Sequence, residues 1–327
     1  MNLLRNRLPS YIDFSEDEAG QLGSISPDRY TVEVRPPWNT DVPTSLESVL
    51  QNIWEMQTKW FKLWNISPVV SFEICRFHRD QVRFQFTVPT KRLERNLRTG
   101  LKTAIPEIGF NEAGGDPGLP VSEGASVGGG MLKLGRMDYY PLNTDHDSPP
   151  SNNVVSSLHR DAMQDTRFLI QVLFKPVAGR SLGTWWQRKS AYRRRNYLRK
   201  NKESLTNSRS ATPQEKKQAN KIEDKASEPL YHTGIRFLVV GAGEHTPSRV
   251  KELASGYNRF ESSLTGQYLD TVTVRSIRRK SFTRFAQSVA ERRFDGWNMK
   301  FQLSLPELAA VVSLPSIEQK NISYSQP

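Results

Sequence analysis

The chain has a single cysteine, Cys75, among its 327 residues. No disulfide framework can form within it, which fits a reducing compartment. Cys75 lies in an apolar run and reads as a buried small hydrophobe rather than a nucleophile. No apolar stretch approaches the ~20 residues of a membrane-crossing helix. The opening MNLLRNRLPSYIDFSEDE turns polar too soon for a secretory signal. These absences lead us to expect a cytoplasmic protein, at most peripheral to the inner face of the cell membrane.

Catalytic signatures are missing as well. Gly-Lys-Ser/Thr occurs nowhere, which excludes a phosphate-binding loop of the G-x-x-x-x-G-K-[ST] kind. Val239-Val240-Gly241-Ala242-Gly243-Glu244-His245 offers a G-x-G after an apolar strand. Thr246 and Pro247 then break the dinucleotide fingerprint, so a strand-to-helix turn is expected. Gly128-Gly129-Gly130 reads as a loop. None of the five histidines (His78, His146, His159, His232, His245) has another four residues away, and no cysteine accompanies them, so no zinc site is expected. Asp145-His146-Asp147 reads as a solvated turn. Glu16-Asp17-Glu18 and Glu223-Asp224 sit in polar segments without an acid/base arrangement. The expectation is a non-catalytic protein with no cofactor and no metal.

What the chain does have is apolar material, 36% with seven Trp and fifteen Phe, and a formal charge of +12. That charge is local. Arg188, Lys189, Arg193, Arg194, Arg195, Arg199, Lys200 and Lys202 form a run without an acid, and its removal leaves +4. Arg275, Arg278, Arg279, Lys280 and Arg284 form a second patch, and removing both leaves −1. The first run interleaves Trp185, Trp186, Tyr192 and Tyr197. Arginine can bridge phosphates and aromatics can stack on bases, so DNA or an anionic membrane surface is the expected partner. As a helix the run is cationic nearly all round. The competing reading is a solvated helix packed on the sheet through Trp185 and Trp186.

Hydrophobic periodicity organises the rest. Residues 1–29 read as a flexible leader, and 30–35 alternate as a strand. A helix capped by Thr44 or Ser45 runs on to Trp64. Strands 69–77 and 82–88 form a hairpin, and 89–103 is an amphipathic helix. Residues 111–130 read as a Gly-rich loop. Strand 131–140, helix 152–163, strand 167–175 and a basic helix 181–199 follow. Residues 201–229 read as a solvated polar segment. Strand 235–240, helix 248–260, strand 268–275 and helix 281–292 follow, and the chain closes with the segments 300–305, 306–312 and Leu314-Pro315. This gives an α+β protein of two ferredoxin-like (βαββαβ) halves, 30–130 and 131–316, with a basic helical insert at 178–229 in the second and a tail at 317–327. The strand at 131–140 is shared out between the halves.

Three stretches resemble the N-terminal regions of conjugation and type IV secretion ATPases of the HerA/FtsK superfamily. The first spans 70–108, with Ser71-Phe72-Glu73-Ile74 and Ile105-Pro106-Glu107. The second comprises Leu132-Lys133-Leu134, Tyr140-Pro141-Leu142 and 168–177. The third, Leu303-Ser304-Leu305-Pro306-Glu307-Leu308-Ala309-Ala310-Val311-Val312-Ser313-Leu314-Pro315, is similar to the family's L-S-x-x-E-L-A-x-L-x-H-L-P segment, with Ser313 in place of His. The resemblance implies the accessory front of a DNA-transfer motor. It would dock to secretion or conjugation apparatus proteins and act as a homo-oligomer in the full-length form, with ATP hydrolysis carried by a separate or missing motor domain. The alternatives are a stand-alone plasmid or viral nucleic-acid-binding protein and a structural or assembly protein.

Overall fold

Apolar residues alternate along most strands, and this decides which layer each sheet face meets. The protein is described here from a computed structural model over residues 8–23, 29–38, 42–59, 64–77, 82–111, 119, 121–158, 166–178, 182–200, 202–204, 207–294, 300–316, 322 and 324. It is mixed α+β, with one ten-stranded antiparallel sheet and nine α-helices among the described residues. β1 (Tyr11–Asp13) and α1 (Glu16–Gly23) come first, then β2 (Tyr30–Arg35), α2 (Glu47–Asn52) and a small hairpin of β3 (Thr58–Lys59) and β4 (Trp64–Asn65). β5 (Val70–Arg76), β6 (Arg83–Val88), α3 (Lys91–Ala104), β7 (Gly109–Asn111), β8 (Ser126–Leu134), α4 (Ser151–Leu158) and β9 (Arg167–Pro176) follow. Next are α5 (Leu182–Arg199), the β10 (Lys202–Ser204) and β11 (Asn207–Arg209) hairpin, α6 (Pro213–Ser227) and β12 (Leu230–Val240). The chain continues through α7 (Thr246–Ser255), β13 (Leu269–Thr273), α8 (Arg279–Ala290), β14 (Phe301–Ser304) and α9 (Leu305–Val311).

The sheet consists of two quartets. β7–β2–β6–β5 lie side by side, as do β13–β8–β12–β9, and β5 pairs β9 to join them. Counted along the chain, each quartet runs fourth, first, third, second. β1 adds to β8, and β14 adds to β12. One face carries Val32, Phe72, Ile74, Phe84, Phe86, Ile170, Val172 and Phe237 in a core with α2, α3, α4, α7 and α9. α3 starts where Thr90 accepts the Leu93 N–H, and its four-residue stripe Leu93, Leu97, Leu101 is buried. On the other face Val127, Met131, Leu169 and Leu238 lie under Phe282, Phe285 and Val289 of α8.

Four expectations are corrected. Over residues 8–23 the leader is not loose: Tyr11–Asp13 pairs Gly128–Ser126, and Phe14 and Leu22 are buried. Its apolar content is low because only one side of it meets the body. The Gly-rich loop and the boundary at 130/131 both give way to β8, a central strand beginning at Ser126. A Cβ on Gly129 would lie 2.1 Å from the Phe237 carbonyl oxygen, and one on Gly130 2.4 Å from Val250 Cγ1. These glycines serve close packing rather than turning. β8 therefore belongs to the second quartet, while β7 closes the first. The helix expected to reach Trp64 ends at Asn52, with Leu46 as its N-cap and no side-chain cap. Trp54 leaves it to meet Tyr231 edge-on at 4.7 Å, and Trp60 lies outside the described residues. Finally, the polar stretch 201–229 contains α6. Thr212 accepts the Glu215 N–H at 3.2 Å, Glu215 accepts the Thr212 N–H at 2.9 Å, and Ala219 and Ile222 are buried. Two small apolar contacts suffice for a helix packed along one edge.

Candidate functional site

β9 and β12 are antiparallel neighbours that a tight turn could join. Instead residues 178–229 intervene, with 14 Lys and Arg against 5 Asp and Glu, a net of +9 out of the chain's +12. α5 and α6 pack against each other through Ala191 and Leu198 on one and Ala219 and Ile222 on the other, over Tyr140 of the body. Lys225 of α6 is buried against Glu307 of α9, with Nζ 3.0 and 2.9 Å from the two carboxylate oxygens. Gln218 Nε2 donates to Leu264 O at 3.3 Å.

This packing gives the nearly all-round cationic helix one face against α6. Glu223 accepts from Arg195 at 2.6 Å and from Arg199 at 2.6 Å, and Arg199 also reaches Asn220 at 2.7 Å. The Arg199 hydrogen bond is the largest influence holding the Glu223 carboxyl below the usual carboxylate range. Arg194 lies over Tyr140 at 5.9 Å and Tyr197 at 5.2 Å, and Arg195 over Tyr192 at 4.9 Å. Lys189 is half-buried. Arg193 on α5 and Lys200 just past its end remain exposed without an ion pair among the described residues, and so do Lys216, Lys217 and Lys221 on α6, three lysines the sequence reading left out. The T-x-x-E box at 212–215 was the signal that could have found them. The side chains of Trp185, Trp186, Arg188 and Lys202 lie outside the described residues, and with them the competing packing through Trp185 and Trp186.

The second patch divides too. Arg279 donates to Glu18 (Nε to Oε1, 2.9 Å) and to Asp13 O, and Arg275 donates to Leu8 O at 3.0 Å. These two residues fasten the leader to the body. Arg278, Lys280 and Arg284 stay exposed. The insert docks at Tyr140, beyond the Leu134 end of β8. The second patch follows Thr273, which pairs Gly130, and reaches the leader at the Ser126 end. Nine residues of strand separate these ends, ~30 Å at ~3.3 Å per residue, so the two patches are not one surface.

The G-x-G turn cradles nothing: Gly241 N–H donates to Ser126 O and Gly243 N–H to Ser126 Oγ, both at 2.8 Å. His146 packs edge-on against Phe260 at 5.3 Å. Among the described residues no group of three His, Cys, Asp or Glu could hold a metal, and no helix is long and apolar enough to cross a membrane.

A buried polar row escaped the sequence reading. Gln85, Glu73, Gln171 and Arg236 stand side by side on β6, β5, β9 and β12. Glu73 accepts from Gln85 (2.6 Å), Gln171 (2.7 Å) and Ser71 (3.0 Å), and is bridged twice by Arg292, at 2.8 and 2.9 Å. Arg236 donates to Gln171 Oε1 at 3.1 Å, Ser288 Oγ at 3.1 Å and Arg293 O at 2.9 Å. Burial alone would push the Glu73 carboxyl up. The Arg292 charge and the surrounding donors outweigh it and hold the group below the usual range. Arg292 has a φ of 53°, a left-handed conformation held in place by this pairing. The signal was there to read: one charged or amide residue in each of three largely apolar runs, SFEIC, LIQVLF and GIRFLVV, at matching alternation.

Near the Pro176 end of β9, Lys175 stands beside His232, which stands beside Gln302. Burial, then the charges of Lys300 and Lys175, push the His232 imidazole down to about 4 from 6.5. Between those values the unfolded chain binds the extra proton, so stability rises with pH from 4 to 6.5 and is lost on acidification. The full linkage is about 3 kcal/mol at ~1.4 kcal/mol per unit. His232→Gln is expected to flatten the dependence of the urea midpoint on pH over this window. His146, also pushed down by burial, leaves a residual slope.

The fold and surface define a class: an antiparallel α+β body bearing a basic helical hairpin, locked by buried charge pairs. A family model described as "Domain of unknown function (DUF8128)" matches residues 5–327, and the chain belongs to that family. No curated protein matches it.

Proposed function

We propose that the chain is a non-catalytic module of a conjugative DNA-transfer or type IV secretion ATPase, and that the α5–α6 hairpin is its contact to nucleic-acid phosphates. The observation that carries this reading is the hairpin's net of +9, with Arg193, Lys200, Lys216, Lys217 and Lys221 exposed and unpaired while the remaining body carries +3. Unpaired cations gathered on one element release counterions from a polyanion, a gain that scattered charges do not give. The two quartets support the accompanying fold reading, a pair of ferredoxin-like plaits. Each has the element order βαββαβ and the strand order 4-1-3-2, with the hairpin inserted between the second and third strands of the second plait. The segment at 303–315 forms the end of β14 and α9, capped by Ser304 and Glu307, and closes the second plait at the hairpin's root. On this reading the body docks to secretion or conjugation apparatus proteins and to copies of itself, and the hairpin faces the DNA.

An anionic membrane surface is the second reading, and a specific observation favours it. Trp64 (68% exposed), Met56 and Ile66 project from the β3–β4 hairpin, which is tied to Pro176 O, at the root of the insert, by Asn65 Nδ2 at 2.7 Å. Fluorescence anisotropy with a duplex of about 30 base pairs, run beside flotation on anionic vesicles, separates the two. The fourfold variant Arg193→Glu, Lys200→Glu, Lys216→Glu, Lys217→Glu is expected to weaken duplex binding about 100-fold near 100 mM salt, with circular dichroism unchanged. Unchanged duplex affinity in the folded variant would sink the nucleic-acid reading. Vesicle binding lost alone would favour the membrane.

A further inference from the structure

Three cationic or potentially cationic groups meet on one face at the Pro176 end of β9, away from the exposed surface of the α5–α6 hairpin. Lys175 on β9, His232 on β12 and Gln302 on β14 are consecutive cross-strand neighbours, so their side chains leave the same face of the sheet. Lys300 precedes β14 by one residue, and its charge acts on both Lys175 and His232. Phe294 lines the approach, its ring 6.0 Å from Lys175 Nζ. Gln302 is 5% exposed, yet its side-chain amide makes no hydrogen bond to the described residues. No carboxylate pairs with Lys175 or Lys300 among the described residues. Asp138 accepts the Gln302 backbone N–H at 3.1 Å and is influenced by Lys225 and Glu307.

Elsewhere in this molecule three buried or half-buried cations face an acid: Arg292 meets Glu73, Lys225 meets Glu307 and Arg195 meets Glu223. Two lysines and a histidine brought together with no acid paired to them among the described residues repel one another. Such an arrangement is stabilised when an anion binds among them.

We propose that Lys175, His232, Lys300 and Gln302 form an oxyanion-binding site whose ligand is a phosphate group. The two ammonium groups supply charge, and the Gln302 amide supplies a directed N–H donor into a partly desolvated position. The imidazole adds a second donor once protonated. Free of ligand, His232 is neutral at pH 7, and burial with the Lys300 charge holds Lys175 below its ordinary range. Bound phosphate reverses both effects, so binding takes up a proton as pH falls toward 6. The site does not depend on whether the hairpin binds DNA, since none of its four residues belongs to the insert.

The test titrates the intact chain with inorganic phosphate while following the His232 imidazole by NMR. Saturating phosphate is expected to raise the His232 pKa by at least one unit. Lys175→Met with Lys300→Met is expected to weaken phosphate binding at least 10-fold. In phosphate-free buffer that double variant is expected to melt no lower than the parent, because it removes repulsion, which guards against reading misfolding as lost binding. His232→Gln is expected to keep binding but lose its coupling to pH. A 5′-phosphorylated oligonucleotide or anionic vesicles that displace phosphate from the parent would identify the source of the group as a nucleic acid or a lipid headgroup; displacement by neither assigns free phosphate. An unmoved His232 resonance, or equal phosphate affinity in the folded Lys175→Met, Lys300→Met variant, would overturn the proposal.

Discussion

Glu73→Leu is expected to lower the unfolding free energy by about 3–5 kcal/mol, the usual cost of removing one partner from a buried charge pair. The substitution strands the Arg292 guanidinium, whose side chain is 7% exposed, and takes the acceptor from Gln85 Nε2 and Gln171 Nε2. Glu73 lies on β5, which pairs β9 across the junction between the quartets, while Arg292 follows α8 on the second sheet face. The pair therefore anchors the end of α8 across that junction. The double variant Glu73→Leu, Arg292→Leu is expected to recover at least half of the loss, because neither charge is then stranded. A urea double-mutant cycle measures the coupling. Additive losses would mean that Arg292 and Glu73 do not act as a pair. The dependence on pH separates this pair from His232. Glu73 contributes its stability above the ordinary glutamate range and loses it as pH falls from that range through its depressed value, whereas the His232 loss is already under way near pH 6.

The second large effect is expected at Glu307→Ala, again about 3–5 kcal/mol. Glu307 is 1% exposed and accepts from Ser304 N–H (2.6 Å), Ser304 Oγ (2.9 Å) and Leu142 N–H (2.7 Å) as well as from Lys225. Its loss uncaps α9, orphans a backbone donor and leaves the Lys225 ammonium buried without an acid. Lys225→Met is the milder change, about 2 kcal/mol, because Glu307 keeps its three other donors. Its effect is expected to be local. The hairpin loses its charged anchor, so amide exchange should quicken across 213–227 while β5, β9 and β12 stay protected. Loss of protection throughout the sheet would show that the hairpin is integral to the fold rather than an attached element.

Much of the framework was legible from periodicity. The stripe Leu93, Leu97, Leu101 with Thr90 ahead of it placed α3 to within two residues, and the apolar run at 167–175 is β9 almost residue for residue. Elements whose residues answer to distant partners were not legible. Gly128–Gly130 resembles a loop until Phe237 and Val250 are brought against it. α1 is too polar to declare itself without the surface it covers. The candidate surface divides in the same way. Its location in the insert followed from composition, but which cations remain free did not. Arg195 and Arg199 share the Glu223 carboxylate, 28 and 24 residues further on, and only the packing of α5 on α6 makes that pairing. The clustering of Lys175 with His232 and Lys300 rests likewise on strand register.

The central claim is that the hairpin is the polyanion-contacting element. Hydrogen–deuterium exchange of the intact chain, with and without a saturating DNA duplex, tests it most directly. Protection is expected over 189–200 and 213–227, fading as salt is raised, with α8 and the sheet core unchanged. Protection confined to 275–284, or none anywhere at a concentration where the duplex is bound, would contradict it.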